Sequence, residues 1–163
     1  MFSHLTTRLA AGPTLLALAV GVMSAYPGTV SAVGGRVETA AGCARQFDRA
    51  VRAYVETTER RDLAGFLALL HPDVTVVFAG DGEVLDGKAA TTEFLRDFFA
   101  DPSWAQSFSV AKRTVAGCRT GFVLFDSVFT QGDARVPLLI GVSFTYRHGR
   151  WLVVQNQDSD GRV

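Results

Sequence analysis

Four long β-type segments follow one another in the second half of the chain, and this feature restricts the possible folds most. The segments are rich in aromatic and β-branched residues, which is typical of strands, and they cover about 104–118, 121–130, 136–147 and 151–159. The linkers are short: "QGDA" separates the second segment from the third, and "HGR" leads into the fourth. Strands joined by such short turns pair antiparallel, and one face of the sheet is then free to cover helices.

Helical patterns occupy most of the first half. From about residue 44 to 60, Phe47, Val51 and Tyr54 recur at helical spacing opposite charged residues. Asp62 suits the N-cap of a second, short helix, "LAGFLALL", and a third helix is expected over 88–100. Two short strands, joined by "GDG", lie between the second and third helices. Helices followed by a long strand meander predict an α+β domain.

The N-terminus, residues 1–32, is predicted to be a signal peptide. Its apolar stretch, "TLLALAVGVMSA", is short for a membrane span, which needs about 20 apolar residues. The small residues of "VSA" predict cleavage after Ala32, and "MSA", ending at Ala25, is a second candidate. The protein is then secreted, with a flexible leader at 33–42 and a folded domain at 43–159; an uncleaved N-terminal anchor is the alternative.

The chain has two cysteines, Cys43 and Cys118. An even number of cysteines in an exported chain favours a disulfide, and two buried free thiols are the alternative. "AAGC" resembles a lipoprotein processing site, but Arg36 and Glu38 separate it from the apolar stretch. Lipidation of Cys43 is therefore not expected.

Charge and motifs exclude several classes of function. The formal net charge is zero and there is no run of Lys or Arg, so we expect neither a nucleic-acid partner nor membrane binding beyond export. Histidines and cysteines do not occur at metal-ligand spacing, and no phosphate-binding glycine motif is present. We therefore expect no metal and no other cofactor.

Two stretches carry a resemblance to a known family. "YVETTERRDLAGFLALLHPDVTVVFAGDGEVLDGKAATTEFLRDFF" and the terminal "YRHGRWLVVQNQDS" resemble the nuclear-transport-factor-like superfamily, in its SnoaL-like and calcium/calmodulin-dependent kinase association-domain branches. The resemblance covers residues 43–159. It implies a cone-shaped, curved antiparallel sheet wrapped around three helices from the N-terminal half, an enclosed pocket, and usually a dimer. Fold alone does not fix activity.

The resemblance also implies which residues line the pocket. Association-domain members carry histidine near the end of the last strand and serine two residues later, where this chain has Gln157 and Ser159. Alternation along that strand then directs Gln155 inward as well, and the resemblance places Ser127 and Ser143 at inward positions. The expected ligand pocket contains Tyr54, Phe78, Phe125, Ser127, Ser143, Gln155 and Gln157.

The catalytic residues of ketosteroid-isomerase-like members are missing. That chemistry needs a carboxylate base and an acidic hydrogen-bond donor. At the positions that match, the chain has Phe78 for the base and Gly141 or Val142 for the donor. Weaker candidates for proton transfer are Tyr54 and Asp126, although the alternation expected for its strand directs Asp126 away from the pocket.

Three functions therefore stay open. The first is a secreted module that binds a small, largely apolar molecule in the cone, since apolar pockets with a few convergent polar groups suit such ligands. The second is a cofactor-independent isomerase, cyclase or dehydratase-like enzyme that uses Asp126 or Tyr54. The third is a dimeric assembly domain. We expect a homodimer in which the convex sheet face is buried, with an outer apolar stripe formed by Ile140, Val142, Phe144 and Tyr146.

Overall fold

The structure of the protein is a computed structural model, and it describes residues 39–80 and 82–161. The predicted signal peptide and the leader up to residue 38 lie outside the described residues. The first helix begins at Ala40, inside the segment expected to be a flexible leader. Thr39 caps it, because its hydroxyl accepts a hydrogen bond from the amide of Gly42 at 3.1 Å.

Three helices precede the long strands, as expected. α1 spans Ala40–Glu59, α2 spans Leu63–Leu69 and α3 spans Gly87–Ala100. The Asp62 side chain caps α2 by accepting from the amide of Gly65. On α1 the residues predicted as the apolar stripe, Phe47, Val51 and Tyr54, are buried.

Six strands form one curved, unclosed sheet in the order β2-β1-β6-β5-β4-β3. All neighbouring strands pair antiparallel except β1 and β6, which are parallel. This architecture confirms the predicted α+β fold. The strands are β1 (Leu70–Val77), β2 (Val84–Asp86), β3 (Trp104–Ala116), β4 (Thr120–Gln131), β5 (Ala134–Arg147) and β6 (Arg150–Asp160).

The inner face of the sheet carries the core, and it overturns one prediction. Val123 pairs with Val142, and Phe125 pairs with Ile140; residues directly opposite each other share a face. All four are at most 1% exposed. The expected outer stripe is therefore wrong, because Ile140, Val142 and Phe144 are core residues and Tyr146 donates to Gln46 of α1.

A β-bulge at Val154 changes which side chains of β6 face inward. Ser143 pairs with Gln155 and Phe144 with Val153, so Val154 has no partner on β5. One extra residue shifts the alternation by one position. Trp151 and Val153 face the core before the bulge, and Asn156 faces it afterwards, in place of Gln155.

The predicted disulfide is present and links two distant parts of the domain. Cys43, in the first turn of α1, is bonded to Cys118, in the turn between β3 and β4, with the two Cα atoms 5.3 Å apart. The carbonyl of Cys43 also accepts a hydrogen bond from the indole of Trp151 on β6. The N-terminal end of α1 is thus attached to both ends of the sheet's long meander.

Within residues 39–80 and 82–161, no helix combines the length and the apolar character needed to cross a membrane.

Candidate functional site

A cavity of about 350 Å³ lies between the inner face of the sheet and the helices. This volume falls at the lower end of the range of about 300 to 1,000 Å³ typical of small-molecule sites. We call its buried aromatic and aliphatic residues the floor: Tyr54, Phe66, Leu70, Val76, Leu95, Phe99 and Ile140. The rim consists of lining residues that stay partly exposed: Phe78, Phe94, Phe98, Phe129, Val136 and Asp160.

Three polar side chains that line this largely apolar cavity are hydrogen-bonded in series. The Tyr54 hydroxyl on α1 donates to Asn156 Oδ1 at 2.5 Å, and Asn156 Nδ2 donates to Asp158 Oδ1 at 2.8 Å. An ionised carboxylate only accepts hydrogen bonds, so the Asn156 amide turns its nitrogen to Asp158 and its oxygen to Tyr54. Among the described residues, no donor reaches the second oxygen of Asp158.

Burial shifts the pKa values of Tyr54 and Asp158, the two residues at the ends of this hydrogen-bonded series. Burial raises the pKa of Asp158 to about 6, and the hydrogen bond from Asn156 partly opposes that rise. Burial, and secondarily the negative charge of Asp158, raise the pKa of Tyr54 well above 10.0. Tyr54 therefore stays protonated and donates to Asn156, whereas Asp158 changes charge close to neutral pH.

Gln106 also lines the cavity, and its hydrogen bond shows where Ser127 lies. The Gln106 amide donates to Ser127 Oγ at 3.1 Å, and Ser127 Oγ donates to the carbonyl of Ser107 at 2.9 Å. Ser127 is buried on the inner face but does not line the cavity. It holds Gln106, which does.

Two of the residues predicted for the pocket line the cavity. Tyr54 belongs to the floor and Phe78 to the rim. Phe125 lies beneath the lining, where its ring stacks on Tyr54 at a centroid distance of 5.7 Å and an interplanar angle of 9°.

Three predicted pocket residues lie outside the cavity, which corrects the sequence prediction. Ser143 is on the outer face of β5, because its neighbours Val142 and Phe144 point inward. Gln155 and Gln157 are exposed on the outer face of β6, where the Gln155 amide donates to Gln157. The bulge at Val154 puts them there.

Asp126 lies on the outer face of β4 and is exposed, as the alternation along that strand predicted. The acids that line the cavity are instead Asp158 and Asp160, and neither they nor Asn156 was predicted from the sequence. The signal was present in "QNQDSD", where alternation puts Asn156, Asp158 and Asp160 on one face and Gln155, Gln157 and Ser159 on the other. Choosing the right face required knowledge of the bulge, which no glycine or proline marks.

Within the described residues, no three His, Cys, Asp or Glu side chains form a group able to hold a metal ion. The chemistry that the cavity offers is that of its carboxyl, amide and hydroxyl groups.

Similar structures share this fold. An NTF2-like protein of unknown function from Pseudomonas putida superposes with a TM-score of 0.61 at 19% identity, covering 71% of this chain and 86% of that one. A protein provisionally assigned as a dehydratase of the NTF2-like family, from Streptomyces avermitilis, gives 0.61 at 18% identity, covering 73% and 96%. An epoxide hydrolase from M. tuberculosis, of the LEH-like type, gives 0.54 at 18%, covering 69% and 80%.

The family comparison is more specific than the structural one. At such low identities the structural likeness establishes the fold alone, and no curated protein sequence matches the chain. The SnoaL-like domain model, however, matches residues 51–154, which is more than half of the sequence. The chain therefore belongs to the SnoaL-like domain family, and it has the fold of the NTF2-like structures.

Proposed function

We propose that this protein is a cofactor-independent enzyme that transfers a proton on a small, largely apolar substrate held in the cavity. The observation that carries the proposal is the hydrogen-bonded chain Tyr54–Asn156–Asp158, which ends in a carboxylate that lines a largely apolar cavity. Desolvation makes such a carboxylate a stronger base than one in water. A pKa near the working pH is what a general base or acid needs.

The reaction type that fits is an isomerisation or a dehydration. Asp158 would take a proton from a carbon next to a carbonyl group and then return it, either to another carbon or to a departing hydroxyl. Asn156 is a positioning residue, because its amide fixes one oxygen of Asp158 and leaves the other for the substrate. Tyr54 orients Asn156 in turn.

Hydrogen exchange at carbon tests this role without knowledge of the natural substrate. β-Tetralone is small, apolar and uncharged, and its α-hydrogens exchange with D2O when a base removes them. We expect the protein to accelerate this exchange, measured by NMR, and Asp158→Asn to slow it by about 100-fold or more. Because the ionised carboxylate is the base, the wild-type rate should rise with pH through about 6 and then level off.

The matched control is Asp126→Asn, which removes a carboxylate from the outer face of the sheet and should leave the exchange rate unchanged. Equal rates in the wild type and in Asp158→Asn would refute the role of Asp158. A flat pH profile between 5 and 7 would do the same, since the approximate pKa of 6 requires a change in that range.

A binding module without catalysis is the second candidate, and one observation favours it. The proton of Tyr54 is already donated to Asn156, and the described lining residues include no Lys, Arg or His to stabilise the negative charge of an enolate. A wild-type protein that binds β-tetralone tightly without accelerating exchange would support this candidate.

We also propose that the protein is a homodimer, formed through the outer face of the sheet. With the predicted stripe now in the core, the outer face presents other apolar side chains, all partly exposed in the single chain: Phe122, Leu124, Val128, Leu139, Leu152 and Val154. Burying them against a second copy would remove their exposed apolar surface from water.

Sedimentation velocity at micromolar concentration should show a dimer. Leu124→Lys places a charge in the middle of the outer face, directly across from Gly141, and should shift the protein to monomer without unfolding it. Ser109→Lys, at an exposed position near the edge of the same face, is the matched control and should stay dimeric. A monomeric wild type would contradict the proposal.

Export remains a proposal as well. The Cys43–Cys118 disulfide supports it, because such bonds persist in oxidising compartments outside the cytosol.

A further inference from the structure

We propose that the cavity selects molecules that carry a protonated amine, with the amine held at the rim between Asp160 and the faces of the phenylalanine rings. This deepens the proposed function, because it names the class of substrate that would reach Asp158. It rests on the proposed function only in assigning proton transfer to the buried end of the bound ligand.

The charges of the lining favour a cation. Among the described lining residues, Asp158 and Asp160 are the only ones that carry a formal charge, and both are acidic. The Arg61 guanidinium lies 5.5 Å from the ring centroid of Trp104 and donates to the Trp104 carbonyl, and neither residue lines the cavity. An anionic ligand would meet two carboxylates here without a compensating positive charge.

The aromatic residues of the rim favour the same class of ligand. Neighbouring rim rings lie close together: the centroids of Phe78 and Phe94 are 4.7 Å apart, those of Phe94 and Phe98 6.3 Å, and those of Phe98 and Phe129 6.2 Å. Phe98 stacks one face on Trp104 at 4.5 Å and 12°, but all four rim rings stay partly exposed. Exposed ring faces attract ammonium groups, and they do so more strongly when water is excluded. A neutral hydroxyl gains much less from them.

The positions of the two carboxylates separate the amine from the reacting end. Asp158 and Asp160 are two residues apart beyond the bulge of β6, so both face the cavity about 6 to 7 Å from each other along the strand. Asp158 is half-buried and held by Asn156, whereas Asp160 is exposed at the rim. An ammonium group at Asp160 leaves the second oxygen of Asp158 available for proton transfer.

Three molecules with one ring skeleton and different charges test the proposal: aminotetralin, tetralol and tetralin carboxylate. Their affinities for the full chain are measured by calorimetry at pH 7.5. We expect aminotetralin to bind about tenfold more tightly than tetralol, and tetralin carboxylate to bind most weakly. Asp160→Asn should reduce the preference for the amine to about threefold or less, whereas Asp126→Asn should leave it unchanged.

Equal affinity for the amine and the alcohol, tightest binding of the carboxylate, or a full amine preference in Asp160→Asn would each overturn the proposal. Failure to bind any of the three molecules would overturn it too. Different results would overturn the proposed function, so the two failures can be distinguished. Amine-selective binding without β-tetralone exchange would leave a selective binding module, and exchange without amine preference would leave an enzyme for uncharged substrates.

Discussion

Replacing both Cys43 and Cys118 with serine is expected to lower the free energy of unfolding by about 4 kcal/mol. The disulfide closes a loop across a sequence separation of 75 residues, and the chain-entropy account of cross-links gives about this value for such a loop. The loss is a large share of the total for a domain of this size, since folded domains are stable by only about 5 to 15 kcal/mol. Chemical denaturation of the oxidised wild type and of the double variant measures it.

Two controls separate the cross-link from the side chains. Cys43 is fully buried, so a serine hydroxyl at that position adds the desolvation of a polar group. Cys43→Ala combined with Cys118→Ala avoids this addition, and wild type kept under reducing conditions changes no side chain at all. A loss below about 1 kcal/mol in all three would mean that the disulfide does not restrict the unfolded chain as the entropic account requires.

The order of elements was predictable from sequence because each element has a strong local pattern. Phe47, Val51 and Tyr54 repeat at helical spacing and lie in the core. The four long strands are bounded by short polar turns, and their apolar and β-branched content left little alternative. The family resemblance then supplied the curved sheet around the helices, which local pattern alone does not give.

It was also predictable which side chains of β5 face the core. The prediction follows from the sequence of the strand itself and not from the family resemblance. Ile140, Val142 and Phe144 alternate with the small or polar residues Gly141 and Ser143, which is the ordinary pattern of a strand with one buried face. Reliance on an inward Ser143 reversed the strand and moved its core residues to the outside. Simple alternation gives the orientation that the structure has.

Which side chains of β6 face the core beyond Val154 could not be predicted in the same way. Period-two alternation from Trp151 and Val153 places Gln155 and Gln157 on the inner face. Because of the bulge, Asn156 and Asp158 face inward instead. The extra residue, Val154, interrupts the pairing of β6 with β5, and the pairing of β6 with β1 changes register at the same place. The candidate site therefore depends on tertiary pairing that the residues of β6 do not encode by themselves.

Asp158→Asn is expected to raise the free energy of unfolding by about 2 kcal/mol at pH 7.5, although it should remove proton transfer. In the folded protein burial raises the pKa of Asp158 from 3.8 to about 6, so the folded state holds this proton more tightly than the unfolded chain. Stability contributed by this residue therefore falls as pH rises between about 4 and 6. The full penalty, about 3 kcal/mol, applies above pH 6.

The asparagine recovers less than the full penalty, because its own amide nitrogen must be desolvated, while its oxygen still accepts from Asn156. Tyr54 and Asp160 are the other titratable groups of the described cavity lining. Tyr54 does not change charge in this range, since its pKa is raised above 10.0.

Urea denaturation of wild type and Asp158→Asn at pH 7.5 and pH 4 measures the effect as a difference between the two proteins, so the titration of all other groups cancels. The gain should shrink to within about 0.5 kcal/mol at pH 4, where the wild-type carboxyl is protonated in the folded state. Glu93→Gln, at an exposed position of α3 and off the proposed dimer face, should change stability by no more than about 0.5 kcal/mol at either pH, as exposed substitutions usually do. A loss of stability at pH 7.5 would contradict the prediction, because it would show that interactions within the fold offset the cost of burying the carboxylate. A gain at that pH, together with loss of β-tetralone exchange, would identify a group that destabilises the domain and acts on its ligand.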